Sequence, residues 1–378
     1  MKKNTHINKL AALLSATALA APVAVLADSH DENERVEVYG FVNLSVDWEG
    51  YDGTDDSEDG DLAMNTGSSH FGFRGQEELD GGLKAIYQAE LEWTYTGDTR
   101  GTPGERDDEE YTYYDDANDE QTGYISIGDS FITQVRDSFV GLEGDFGRLT
   151  LGRQSLSNQF VWDGPGADWI AQVGTPGEAL GFGTSGRANN VIRYTNDFGA
   201  IGTVLSLVPG HGEDPDDHAY NARATFNDGP LSSAFTLWQV TDNEGDDFTL
   251  ISLAGRYDLD FMVLSAQFSG QSHDADDSDH TGASFGFMMP MGNTGRIKGI
   301  VSQFMSDDDD DDFTTVAAGY DHIFSDRTEL RLAVAATIND EERSSTPHTH
   351  GMYGPSSGVD PAADETHTTV SANLRHSF

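Results

Sequence analysis

The sequence predicts an all-β protein: a 16-stranded antiparallel transmembrane β-barrel with an inward-folded constriction loop. Three observations lead there. Apolar and polar residues alternate with period two over stretches of about ten or more, which marks strands with one apolar and one polar face. The breaks between these stretches alternate between short turns and long, mostly acidic loops. One stretch, Ser155–Gly186, has neither strand nor helix periodicity and is crowded with glycine, proline and tryptophan. A structureless loop of that length inside a compact β domain is functional, or else it argues against its neighbours' assignment.

The chain has 378 residues, no cysteine, 42 glycines and a formal charge of −45. Its first 27 residues read as a secretory signal peptide: Lys2, Lys3 and Lys9 start it, Leu10 to Leu26 is apolar, and Val25-Leu26-Ala27 is a small-residue cleavage site. A retained membrane anchor is the alternative, but polar and acidic sequence follows at once. Residues 28–378 are then the folded barrel. Losing the three leader lysines takes the formal charge from −45 to −48. So acidic a surface excludes nucleic-acid binding, which needs a basic face. The acids gather in blocks, Asp52–Asp61, Asp107–Glu120 and Asp307–Asp312, between ordered-looking apolar segments, which argues against disorder of the whole chain. A secreted chain without disulfides must draw its stability from an extensive hydrogen-bonded fold or core.

After Ala27 no stretch carries the eighteen or so apolar residues of a membrane-crossing helix. The strands carry the signal instead. Val36, Val38, Gly40, Val42, Leu44, Val46 and Trp48 share one face of the first, against Glu37, Tyr39, Asn43, Ser45 and Asp47. Leu83, Ala85, Tyr87, Ala89, Leu91, Trp93 and Tyr95 alternate with Lys84, Gln88, Glu90, Glu92 and Thr94. Near the end Leu330, Leu332, Val334 and Ala336 alternate with Glu329 and Arg331. Such strands are longer than those of most globular proteins and match the roughly 9–11 tilted residues that cross a bilayer. Short turns fall at Glu78–Gly82, Asp145–Gly147, Asp197–Gly199, Asp228–Pro230, Asp258–Asp260, Gly292–Thr294 and Ser325–Asp326. Longer loops fall at Glu49–Ala63, Gly97–Ser130, Ser155–Gly186, Gly210–Asp217, Asp242–Asp247, Ser272–Thr281, Ser306–Asp312 and Asp340–Glu365. Turns on one side and loops on the other are the pattern of an outer-membrane barrel, and about sixteen strands enclose an aqueous channel.

The last strand, Thr369 to Phe378, alternates and ends on an aromatic residue. With Val38-Tyr-Gly-Phe-Val42, Phe71-Gly-Phe-Arg-Gly-Gln-Glu-Glu-Leu79 and Phe139-Val-Gly-Leu-Glu-Gly-Asp-Phe-Gly-Arg-Leu-Thr-Leu-Gly-Arg-Gln154, the chain resembles the general, non-specific trimeric porins of Gram-negative bacteria. The resemblance covers essentially the whole mature chain. It implies a homotrimer in outer-membrane lipid and lipopolysaccharide that passes ions and small hydrophilic solutes. It further implies that Ser155–Gly186 folds into the lumen, that the second long loop latches onto a neighbouring subunit, and that Phe378 is read by the barrel-assembly machinery.

On that resemblance, the acidic side of the constriction is Asp163, Asp168 and Glu178, in a loop with no lysine or arginine. Arg136 and Arg187 align with two members of the basic wall opposite, His70 stands at a third position, and Phe41 stands where a lysine is expected on the first strand. Parity puts His70, Gly72 and Arg74 opposite Phe71 and Phe73, hence inward. Arg74 and Arg193 fit a bracing role in the wall as well as a pore role. Arg153 shares parity with Leu149 and Leu151 and reads as facing an intersubunit contact rather than the lumen. Trp48, Trp93, Tyr95 and Tyr194 read as residues of the interfacial girdle. Acids facing a thinned set of bases across a narrow gap predict cation preference.

Other chemistry finds little footing. Asp55-Asp-Ser-Glu-Asp-Gly60 has serine at the third place and Thr66 at the twelfth, so it fails the calcium-loop pattern. His348 and His350, with His367 beyond them, read as exposed loop histidines and have no cysteine to complete a zinc site. No phosphate-binding glycine loop, G-x-S-x-G elbow or H-E-x-x-H pair is present, and Gly183-Thr-Ser-Gly186 is one residue short of the elbow. No metal, cofactor or enzymatic activity is implied. A substrate-selective channel, with Phe160, Trp162 and Trp169 as a sugar-guiding aromatic track, is the alternative within this fold; a barrel adhesin or outer-membrane enzyme is the one outside it.

Overall fold

A computed structural model of the chain describes residues 35–51, 61–67, 69–93, 108–114, 120–126, 132–156, 187–210, 218–241, 247–274, 279–307, 311–342, 345 and 364–378. The described strands are β1 (Arg35–Tyr51), β2 (Asp61–Asn65), β3 (His70–Glu78), β4 (Lys84–Trp93), β5 (Asp108–Tyr114), β6 (Glu120–Ser126), β7 (Ile132–Gly144), β8 (Gly147–Ser155), β9 (Arg187–Phe198) and β10 (Ile201–Val208). They continue as β11 (His218–Asp228), β12 (Leu231–Thr241), β13 (Phe248–Asp258), β14 (Val263–His273), β15 (His280–Met291), β16 (Gly295–Ser306), β17 (Phe313–Ser325), β18 (Thr328–Asn339) and β19 (Thr366–Ser377).

Every pairing is antiparallel, and the sheet closes because β1 pairs with β19 on one side and with β3 on the other. β2 and β3 share one place beside β1, so β1–β4 and β7–β19 make sixteen strand positions. β5 and β6 stand apart as a two-stranded sheet. Among the described residues, closure leaves the main sheet without an unpaired edge, which a bilayer requires. The seam is sealed at the last residue: Phe378 donates its backbone N–H to the Gly40 carbonyl at 3.0 Å, and Gly40 donates back to Phe378 at 3.2 Å. Gly40 cannot be larger, since a Cβ there would lie 2.3 Å from the His70 carbonyl oxygen and 2.9 Å from the Phe378 ring.

All seven short turns fall where the sequence placed them. Two stretches read as loops carry strands: β2 in the first long connection, and β5 with β6 in the second. β2 spans 5 residues and β5 and β6 span 7 each, shorter than the stretches of about ten over which alternation was counted, so neither was visible.

Alternation resolves into two surfaces. Outward rows such as Phe235–Leu253–Phe268, Phe285–Val301–Val316 and Val334–Val370–Trp48 run across neighbouring strands and are exposed. Exposed apolar surface on that scale has its natural solvent in lipid tails. Trp48 is among these outward residues, and the Tyr194 hydroxyl donates to the Phe146 carbonyl beside a short turn. Tyr95 lies outside the described residues.

Candidate functional site

The inner face carries the chemistry, and one cluster of its charges lies on β1, β3, β4, β7 and the start of β9. The alternation of β4 sends Glu90 and Glu92 inward, two residues apart. Opposite them the ladder is irregular: Ala89 pairs with Ser138 but Leu91 pairs with Val135, so three steps of β7 match two of β4. This β-bulge aims two consecutive side chains, Arg136 and Asp137, toward the same interior. Arg136 lies between the two carboxylates, its Nε 2.5 Å from Glu90 and its Nη1 2.6 Å from Glu92. Asp137 holds Arg187 at 2.6 Å.

The network spreads over the wall. Glu90 also accepts a 2.9 Å hydrogen bond from the Tyr39 hydroxyl and lies 3.7 Å from His70 Nε2. Gln134 donates to Glu92 at 2.9 Å. Arg74 grips Glu37 with two donors, at 2.7 and 2.9 Å, and its guanidinium stacks 4.7 Å from the Tyr39 ring centroid. Charge-assisted bonds in such fork geometry are stronger than neutral ones and fix orientation as well. The predicted basic residues Arg74, Arg136 and Arg187 are thus brought together with His70, and each of these arginines is held by carboxylates of the same wall.

A closed barrel with a charged inner wall and an apolar outer belt is the architecture of a membrane channel. Residues 11–342 match the sequence profile of the family described as Gram-negative porin. The chain belongs to that family. It is 26% identical over 391 residues to outer membrane porin protein 32 of Delftia acidovorans, covering 97% of this chain and 99% of the relative. Among solved structures, a porin from Comamonas acidovorans described as anion-selective matches with a TM-score of 0.67 at 22% identity, covering 91% of this chain and all of the other. OmpT of Vibrio cholerae, solved in a trimer form, matches with a TM-score of 0.59 at 13% identity over 92% of this chain. The protein is therefore a Gram-negative outer-membrane porin.

Within this porin, Arg193 faces the lumen but works differently from the other predicted bases. Its guanidinium donates to the Ser155 carbonyl and, at 3.0 Å, to the Ser206 hydroxyl. It thus clamps the end of β8 to the wall at the point where the long third connection begins. Next to that clamp Leu156 is buried with Val191, Trp238, Phe248 and Leu250, which come from β9, β12 and β13. Of the two roles open to Arg193, these bonds support bracing. The acidic residues Asp163, Asp168 and Glu178 lie outside the described residues, as do Phe160, Trp162 and Trp169.

The rest of the porin's inner face is different in kind. Thr236, Ser252 and Ser269 stand side by side on β12–β14, and Ser284, Ser302, Thr315 and Thr337 on β15–β18. Below this ladder Arg296, Lys298, Asp321, Glu329 and Arg331 form a second ion network; Lys298 lies 2.6 Å and Arg296 3.0 Å from Asp321, and Arg296 lies 2.5 Å from Glu329.

Several functional residues escaped the sequence. Glu37, Glu90 and Glu92 were legible as the polar face of their strands but not as partners of the arginines. Asp137 was not legible at all, because parity places it opposite Arg136 and only the bulge reverses this. His367, read as an exposed loop residue, is fully buried on the lumen side of β19, whose inward set also includes Thr369 and Ser371. Arg153 does stand on the outer face, donating to the Val135 carbonyl at 2.7 Å and to Asn189 at 3.0 Å.

Proposed function

We propose that this porin is a homotrimeric general diffusion channel with a preference for cations. One observation carries the ion preference. The wall that family resemblance marks as basic holds Arg74, Arg136, Arg187 and Arg193, yet it also holds Glu37, Glu90, Glu92 and Asp137, four charges against four. With His70 neutral the wall sums to zero. The third long loop adds Asp163, Asp168 and Glu178 and no base. An acidic loop opposite a self-cancelling wall leaves a negative field along the path.

The Comamonas porin is described as anion-selective, but at 22% identity that likeness carries the fold. Selectivity resides in the few side chains around the lumen. In this reading residues 1–27 are removed on export, Ser155–Gly186 folds into the lumen, and Phe378 addresses the chain to the barrel-assembly machinery. Lipopolysaccharide and outer-membrane lipid surround the assembled trimer. A sugar-preferring channel is the second reading, favoured by the inward rings of Trp238, Phe248, Phe304 and Phe313 on neighbouring strands. The deciding experiment is single-channel recording in planar bilayers under a potassium chloride gradient. Closure in thirds and a reversal potential on the cation side are expected. An anion-side potential overturns the ion preference, and block by a low concentration of one sugar moves the assignment to the second reading.

A further inference from the structure

Phe41 is the anomaly of the charged wall, an apolar ring facing the lumen in the row of Glu37, Tyr39 and Asn43. Its environment gives it a task. The His70 ring meets it edge-on, with centroids 4.3 Å apart at 67°. On its other side the Arg375 guanidinium carbon lies 4.3 Å from the ring centroid. Arg375 is not the cross-strand neighbour of Phe41; the register pairs Phe41 with Ser377 and Arg375 with Asn43. The guanidinium therefore leans diagonally across the seam onto the ring.

Such a lean follows from electrostatics, since the face of an aromatic ring carries the negative lobe of its quadrupole and attracts a cation. A ring orients a guanidinium while adding no net charge of its own. Arg375 is half-buried, and it shares its inward parity with Ser371, Asn373 and Ser377. Across β18 its register partner is Glu329, which engages Arg296 and Arg331. His70, on the far side of Phe41, belongs to the Glu90–Arg136 network. Phe41 thus stands between the two ion networks, with a cation laid on it.

We propose that Arg375 is a selectivity-determining cation of the pore and that Phe41 is the residue that positions it. The basic side of the channel then continues across the β1–β19 seam, from the strand that opens the barrel onto the strand that closes it. This rests on the lumen being the conduction path.

The chain has no cysteine, so Arg375→Cys introduces a single thiol. In planar bilayers the substitution should shift the cation-to-anion permeability ratio about twofold toward cations, as expected for one charge within several ångströms of the ion path in a water-like medium. A positively charged methanethiosulfonate reagent should then return the reversal potential to its wild-type value. A negatively charged one should drive it further toward cations, and a neutral one should leave it where Arg375→Cys put it. A thiol that reacts without moving the reversal potential, or that does not react, overturns the proposal. If Arg375→Cys fails to assemble, Arg375→Lys and Arg375→Gln serve instead: lysine should keep the wild-type potential and glutamine should show the twofold shift, and equal potentials overturn it.

For Phe41, replacement by leucine keeps an apolar side chain but removes the ring's quadrupole. A shift in the same direction as Arg375→Gln, smaller in size and without loss of trimer heat resistance, is expected; an unmoved potential overturns the positioning role. Each shift is read against wild type, so it stands or falls whichever ion the wild-type pore prefers.

Discussion

Two arcs of the same wall follow different rules. From β12 to β17 the ladders run without a register shift, and the inner face presents a row of small hydroxyls. From β1 to β9 the wall is interrupted: β2 breaks from β3, and register shifts occur between β4 and β7 and between β8 and β9, where Asn190 takes a positive φ of 59°. There the inner face carries paired charges. Regular pairing gives each strand one inward residue in two and spaces neighbouring charges evenly. A bulge supplies an extra inward residue, as Asp137 beside Arg136 shows. In this arc irregular backbone and paired charge coincide, whereas Arg296, Lys298 and Asp321 of the second network pair across a ladder without a register shift.

The sharpest way to break this contrast is to remove the acids of the irregular arc. Glu90→Gln combined with Glu92→Gln should free the charge of Arg136 and move the permeability ratio about fivefold toward anions, read as a reversal potential. No movement would mean that the network is screened from the conduction path. A smaller step is Asp137→Asn, which releases Arg187 alone and should move the ratio about twofold in the same direction. If Asp137→Asn has the larger effect, the centre of the field lies at β9 and not at β4.

The regular arc should respond in stability and not in selectivity. Thr315 and Thr337 share a 2.7 Å hydrogen bond between buried hydroxyls. Thr315→Val should cost about 1 kcal/mol, measured as a lower unfolding midpoint, with the reversal potential unchanged. A selectivity change there would erase the distinction between the arcs.

The same contrast explains what could be read in advance. In the regular arc, the short turns at Asp228–Pro230, Asp258–Asp260 and Gly292–Thr294 fell at strand ends. In the irregular arc parity placed His70, Gly72 and Arg74 inward, because β3 itself is unbroken. It could not place Asp137, since a parity count passes through a bulge without registering it. Nor could it foresee Arg375 beside Phe41, which are 334 positions apart in the chain yet adjacent where the first and last strands meet. Phe41 looked like a lost charge; the structure brings a cation to it from β19.

The sequence by itself determined the barrel: its long wall strands, its turns, its two faces and the excess of acid in its loops. It could do so because burial in lipid imposes a period of two that any reader of the chain can count. Only the tertiary structure decided how the inner charges are paired. That depends on register between strands, on bulges that reverse a face, and on closure that makes neighbours of the two ends, none of which leaves a local trace in the order of residues.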